Sequence, residues 1–260
     1  MIPKRIHYCW FGRNPKPKLA EKCIKSWKKY CPDYEILEWN EDNFDLSQAP
    51  QYVRQAYEAK KWAFVTDYVR LKVLCQYGGI YMDTDVEVIK PLDSFLVHRA
   101  FSGFENEKEI PTGIMAAEKN FPMFQKLLEF YDDAQFYNPD GSMNLTTNVA
   151  TITKLCLDLG LQQNDTYQEL DGFVLYPHDV FCPVSYLTGQ LHKTPNTHTI
   201  HWFSGSWHSE EEKKQNEKDK RWQRRYDLMF AISRLPNKIG TAVFGEKLYV
   251  KIRTFLKGHE

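Results

Sequence analysis

A helix-forming run that ends in two glycines, followed at once by a β-branched stretch bearing two aspartates, constrains this chain more than any other feature. Gly78-Gly79-Ile80-Tyr81-Met82-Asp83-Thr84-Asp85-Val86-Glu87-Val88 reads as a strand launched by a glycine turn, and its two-residue period predicts the Asp83 and Asp85 carboxylates on one face. Two hard anionic oxygens so close together repel each other unless a divalent cation lies between them. Mg²⁺ or Mn²⁺ held in this way completes its shell with substrate phosphates, so the segment points to chemistry on a diphosphate. Upstream, Phe64, Val65, Tyr68, Leu71 and Leu74 recur at helical spacing and predict an amphipathic helix over 62–77. Asp67 and Arg70 lie three apart and so share a face of it. Exposed, such a pair contributes little to stability. On a helix that stops just before the acidic strand, both side chains can reach one cleft, where a guanidinium binds phosphate or sugar hydroxyls and a carboxylate accepts from sugar hydroxyls.

Other readings of Asp-x-Asp are a solvated turn, a calcium loop and a phosphatase nucleophile. A calcium loop of the EF-hand type needs Gly at its sixth position and Glu at its twelfth; Val88 and Ser94 stand there, which excludes it. Phosphatases of the haloacid dehalogenase type resemble Asp-x-Asp-x-Thr/Val, but Glu87 occupies the fifth place, and the later acidic pair available to them, Asp132-Asp133, falls on a helical pattern. A carbohydrate-binding module would use the Trp and Tyr residues and need no metal.

With 260 residues, 42% hydrophobic and 15% aromatic, the chain can bury a large α/β core. Six cysteines are scattered without a C-x-x-C pair, so reduced, buried thiols are expected and neither a zinc knuckle nor a disulfide frame. No stretch approaches a membrane span, and residues 1–12 lack the apolar run of a secretory signal; a cytoplasmic protein is expected. Formal net charge is zero, but 220–260 holds ten Lys/Arg against three Asp/Glu, leaving 24 against 31 for the remainder. Phe244, Leu248, Ile252 and Phe255 recur at helical spacing beside Lys247, Lys251 and Lys257, predicting a basic amphipathic helix that either packs on the body or lies on an anionic membrane. The acidic body disfavours nucleic acid as a partner.

Along the chain, Arg5 to Phe11 reads as a strand, about Pro17 to Tyr30 as a helix, Tyr34 to Trp39 as a strand and about Pro50 to Lys61 as a helix. After the acidic strand, Phe101–Phe104 and Gly113–Ala116 read as short strands, Pro122–Tyr137 and Asn144–Gly160 as helices, and Phe173–Tyr176 and Thr199–Trp202 as short strands. The alternation of strand and helix is an α/β pattern.

Ala63-Phe64-Val65-Thr66-Asp67-Tyr68-Val69-Arg70, followed by Tyr77-Gly78-Gly79-Ile80-Tyr81-Met82-Asp83-Thr84-Asp85-Val86, resembles the signature of glycosyltransferase family 32, which is related to the glucosyltransferase domains of large clostridial toxins. Weaker likeness runs from Pro3–Gly12 to His201–Trp207. The resemblance implies an α/β fold of the GT-A, Rossmann-like nucleotide-sugar-binding kind over 1–210; 211–260, which no motif of the family covers, is expected from its charge and periodicity to be a helical, basic C-terminal extension. It implies retaining transfer of a hexose from a nucleotide sugar, a UDP-hexose, to a glycan or lipid-linked glycan acceptor in surface polysaccharide synthesis, with Mn²⁺ or Mg²⁺ as cofactor.

Carried over residue by residue, the resemblance implies that Trp10 packs on the donor base, Asp67 and Arg70 contact the donor sugar, Asp83 stands near ribose and metal, and Asp85 is the direct metal ligand. His201 is expected as third ligand, the alternatives being Ser204 in that place or a purely structural histidine, while Trp207 closes over the diphosphate and Asn148 faces the donor sugar. Around Asn148 the sequence departs from the family's Gly-Pro form.

Overall fold

The computed structural model describes residues 1–205 and 210–257. They form two compact units, 1–184 with 191–205, and 185–190 with 210–257.

The first unit is α/β, as expected. Its strands are β1 (Arg5–Cys9), β2 (Glu35–Trp39), β3 (Gly79–Met82), β4 (Val86–Val88), β5 (Ala100–Gly103), β6 (Ile114–Ala117), β7 (Gln168–Leu170), β8 (Phe173–Tyr176) and β9 (Thr199–His201). Its helices are α1 (Lys18–Tyr30), α2 (Gln51–Glu58), α3 (Trp62–Tyr77), α4 (Pro122–Glu129), α5 (Asn148–Asp158) and α6 (His178–Phe181). Seven strands build the main sheet in the order β2-β1-β3-β6-β5-β8-β7, and β4 with β9 make a small second sheet. Because β1 is parallel to β2 and β3, while β6 is antiparallel to both β3 and β5, and β5 is parallel to β8, five strands point the same way. Their carboxyl ends share one edge, the edge at which α/β sheets of this kind receive ligands.

Both sheet faces are covered. Tyr81, Met115 and Leu175 face a core with Val69, Leu74, Tyr52, Phe124 and Ile152 from the helices after β2. Ile6, Ile80, Met82, Phe101 and Val174 face a second core with Trp27 of α1 and Phe181 of α6. This explains why the strands are short apolar runs.

Several expectations need correction. The helix over 62–77 is present, but it is buried on nearly every side, Val69, Val73 and Cys75 as well as the predicted stripe, with Asp67 and Arg70 inside. It lies within a core, so one apolar face does not describe it. The acidic strand is interrupted: β3 stops at Met82, and Asp83-Thr84-Asp85 forms a turn closed by Val86 N–H donating to the Asp83 carbonyl at 3.0 Å. The helix over Pro122–Tyr137 ends at Glu129, because Tyr131 and Phe136 must both turn in to pack on Tyr52. Asp132-Asp133 therefore follows a helix in a turn. Strand β7 and helix α6 were not expected.

The second unit contains α7 (Glu210–Ser233), α8 (Asn237–Phe244) and α9 (Glu246–Lys257). Tyr249 is buried against Gly240, where a Cβ would come within 2.3 Å of its ring, and its hydroxyl donates to the Leu235 carbonyl. The expected single stripe from Phe244 to Phe255 is broken by Gly245, whose φ of +76° ends α8; Phe244 and Leu248 belong to different helices. Among the described residues, no helix is long and apolar enough to cross a membrane.

Candidate active site

The Gly78–Gly79 turn sets the position of β3. Both glycines have positive φ, +65° and +119°, and a Cβ on Gly79 would come within 2.9 Å of the Arg5 carbonyl, so side-chain-bearing residues are excluded by strain and by space. His7 of β1 secures the same corner, its Nε2–H donating to the Gly78 carbonyl at 2.8 Å while Nδ1 accepts from the Trp39 indole at 3.1 Å. Strand β4 is fixed from below by α1: Trp27 Nε1–H donates to the Val86 carbonyl at 2.7 Å, and Ser26 Oγ accepts from Val88 N–H at 2.9 Å. Between these anchors the acidic turn has little freedom.

Strand β9 pairs antiparallel with β4, placing His201 opposite Val86 and next to Asp85. Past it, Phe203 adopts φ +49°, a left-handed conformation uncommon outside glycine. The kink lets Trp202 N–H donate to the Asp85 carbonyl at 3.0 Å and Ser204 N–H donate to Asp85 Oδ2 at 2.8 Å. His201 Nε2 lies 3.3 Å from Asp85 Oδ1. Burial alone would raise the Asp85 pKa, but His201 and the Ser204 N–H outweigh it and hold the carboxyl well below its ordinary range. Burial conversely would lower His201, and the facing Asp85 carboxylate lifts it well above the ordinary histidine value.

Arg70 joins this group to the helix. Its Nη1 donates to the Thr112 carbonyl at 2.7 Å and to the Thr112 hydroxyl at 2.6 Å, while Nη2 lies 3.2 Å from Asp67 and 3.3 Å from Asp83 Oδ1. The same Asp83 oxygen accepts the Tyr81 hydroxyl at 2.8 Å. Burial pushes Asp67 above the usual carboxylate range; Arg70 and the Asn148 N–H pull it part of the way back. A planar fork shared by two carboxylates and a threonine is a geometry that lysine cannot reproduce.

Asp83, Asp85 and His201 each offer a ligand atom, all within 4.8 Å of one another. In an octahedral shell of about 2.1 Å radius, neighbouring ligand atoms sit about 3 Å apart, close to the observed His201–Asp85 separation. Two carboxylates and an imidazole suit Mn²⁺, or Mg²⁺ with less use of the nitrogen. The residues therefore fit a divalent cation.

The structure thus brings together Asp67, Arg70, Asp83, Asp85 and His201. Asn148 enters through Asp67: its N–H donates to Asp67 Oδ2 at 3.1 Å, its side-chain amide donates to the Asp67 carbonyl at 2.6 Å, and its Oδ1 accepts from Tyr131 at 2.7 Å. Trp10 stands just past β1 at the same sheet edge, partly exposed, with Lys16 over its ring and its indole donating to the Asn14 carbonyl at 2.6 Å. Trp207 lies outside the described residues. Sequence reasoning did not single out Tyr81, Thr112, Cys182 or Glu105. Tyr81 had a signal, standing two residues before Asp83. Glu105, just past β5 on the ligand edge, is half-buried, and burial raises its pKa with Glu109 and Asp83 adding to the effect while His201 opposes it.

Residues 17–102 match the family described as a glycosyltransferase sugar-binding region containing DXD motif. The likeness to DXD-type glycosyltransferases therefore rests on about a third of the chain. Asp67, Arg70, Asp83 and Asp85 fall inside the match; Trp10, Asn148 and His201 fall outside it. Inositol phosphoceramide mannosyltransferase 3 of Schizosaccharomyces pombe is 30% identical over 131 residues, 49% of this chain and 36% of that protein. An uncharacterized glycosyltransferase of Acanthamoeba polyphaga mimivirus is 27% identical over 164 residues, 58% of this chain and 62% of that one. The matches therefore span just over a third of the yeast relative's length and under two thirds of the viral one's. A solved structure named PaToxG glycosyltransferase aligns with TM-score 0.42 and 24% identity, covering 49% of this chain and 59% of its own.

Proposed function

We propose that this chain is a metal-dependent, retaining hexosyltransferase of the GT-A kind, moving a sugar from a nucleotide-sugar donor to a glycan or lipid-linked glycan acceptor in surface polysaccharide synthesis. Residues up to about 210 form the transferase domain, and the rest is a basic helical extension that meets an anionic membrane at its cytoplasmic face. The observation that carries the catalytic reading is the convergence of Asp83, Asp85 and His201 beside Arg70 at the ligand edge of the sheet.

Breaking a sugar–diphosphate bond leaves negative charge on the departing phosphate, and a divalent cation held by these three residues supplies positive charge where it develops. Arg70 stands beside Asp83 and Asp67; its task is to hold both carboxylates in register and present positive charge toward the donor. Asp67, held by Asn148, accepts from the donor sugar's hydroxyls and fixes the anomeric carbon toward the acceptor. Trp10 supplies a face for the base. The yeast relative's name, an inositol phosphoceramide mannosyltransferase, supports a lipid-borne hydroxyl acceptor, and its mannosyl transfer puts GDP-mannose beside UDP-hexoses as a donor to test. The phosphatase reading loses its later acidic pair, since Asp132-Asp133 sits in a turn after α4 and not at a strand end.

Calorimetry with a panel of UDP- and GDP-sugars, with and without Mn²⁺, tests this function. One donor is expected to bind tightly only with metal, and Asp85→Asn to weaken Mn²⁺ more than about 100-fold, beyond what losing an outer-shell partner costs. Metal-independent sugar binding that Asp85→Asn leaves intact would favour a carbohydrate-binding module. The anomeric configuration of the product, read by NMR, tests retention.

A further inference from the structure

Gly113, the residue before β6, lies between the two sheets that supply the metal-ligand set. Its carbonyl accepts Asp83 N–H at 2.8 Å, tying the acidic turn to the main sheet. On its other side lies the His201 ring, contributed by the small sheet. A Cβ built on Gly113 would come within 2.7 Å of His201 Cε1 and 2.9 Å of Nδ1, closer than real Cβ atoms approach other groups. Gly113 is not among the positive-φ glycines, so its backbone would accept alanine. What opposes a side chain here is the histidine.

The ring has little room to retreat. Phe203 packs on it with ring centroids 4.1 Å apart, the Cys182 thiol is buried beside it, and Nε2 faces Asp85. A metal-ligating histidine is usually oriented by a carboxylate or carbonyl bonded to its other ring nitrogen. His201 Nδ1 is buried and makes no hydrogen bond of ordinary geometry among the described residues, the Cys182 sulfur being at most a weak partner. Packing is left to set the angle of the imidazole.

We propose that Gly113 is the positioning residue of this metal site: its missing side chain sets the depth at which His201 presents Nε2 beside Asp85, while its carbonyl sets Asp83. The proposal rests on the metal reading above and adds the residue that brings ligands from two sheets to one point.

The test is a double-mutant cycle on the full chain, reading Mn²⁺ affinity without nucleotide from the EPR signal of the free ion, with near-UV circular dichroism and thermal melting as checks of fold. Gly113→Ala is expected to keep the fold and weaken Mn²⁺ binding at least about tenfold, the lower end for outer-shell partners. His201→Asn weakens binding by removing the ligand, and the shorter amide clears the new methyl, so Gly113→Ala in that background is expected to change affinity less than twofold. Equal affinity in Gly113→Ala and wild type overturns the proposal; so does the same loss in both backgrounds, because the effect then does not pass through His201. Should Gly113→Ala fail to fold, the double variant decides: folding with the affinity of His201→Asn supports the proposal, and failure to fold overturns it. A wild-type protein that takes up no Mn²⁺ overturns the metal reading itself, a result distinct from all of these.

Discussion

Arg70 shows how much of the site's order rests on single side chains. It is 5% exposed, bonded to Thr112 and shared between Asp67 and Asp83. Removing one partner from a buried charge cluster strands the others in a medium that cannot solvate them, at a cost of about 3–5 kcal/mol. Arg70→Met is therefore expected to lower urea-derived stability by that order, and Arg70→Met/Asp67→Asn to recover part of it, since one stranded charge is gone. Equal stability of Arg70→Met and wild type would show that the carboxylates find other partners. The sequence made part of this legible. Asp67, Arg70, Asp83 and Asp85 lie within one helix, one strand and the turn after it, so local spacing was enough to bring them to one cleft. Thr112, Gly113, Tyr131 and Glu105 reach the site through strand pairing or distant packing, and no local period announces that. His201 was expected from the resemblance; its placement comes from the β4–β9 pairing.

Among the elements, the corner where β1 meets the end of α3 carries a pH dependence. His7 is fully buried beside Trp39 and Tyr77, whose rings stack on each other, and both of its ring nitrogens are used, Nε2 as donor to Gly78 and Nδ1 as acceptor from Trp39. Only the neutral ring can make both bonds. Burial lowers its pKa below 6.5, with the Gly78 carbonyl opposing part of the effect. Between the folded and unfolded pKa values the unfolded chain binds more protons, so this contribution is present in full above about pH 6.5 and is lost as pH falls toward the folded value. The loss cannot exceed about 1.4 kcal/mol per pH unit for one proton. Urea midpoints measured from pH 7.5 to 5.5 should fall for wild type and fall less steeply for His7→Gln, which is less stable at pH 7.5. Parallel slopes would remove His7 from the account. Element types were mostly legible in the sequence because buried strands bounded by glycine or proline are unambiguous. Misplaced boundaries share one physical cause: tertiary partners end elements earlier than local pattern does, as Tyr131 and Phe136 end α4 and as the Asp83–Asp85 turn divides the acidic strand.

At the scale of the whole molecule, charge is segregated along the chain, ten basic residues against three acidic ones after residue 219 and an acidic excess before it. The described part of the C-terminal unit also exposes large apolar side chains: Ile239 and Val243 on α8, Leu248 and Val250 on α9, all at least half exposed, with Lys238, Lys247 and Lys251 among them. Among the described residues of α9, Tyr249 and Leu256 are the buried side chains, so these exposed residues are surplus to the unit's own packing. Apolar side chains interleaved with lysines suit the interface of an anionic bilayer, where each cation near the surface contributes about 1 kcal/mol and the attraction fades with salt. The lipid-linked acceptor proposed above would be met at that surface. The full chain should therefore float with phosphatidylserine-containing vesicles, float less at high salt, and remain unbound with phosphatidylcholine alone. A Val243→Glu/Leu248→Glu variant, which alters only exposed positions, should keep its melting temperature and its binding of nucleotide sugar with Mn²⁺ yet lose flotation. Equal partitioning of wild type and variant would detach the basic extension from the membrane and leave its exposed apolar face to another partner.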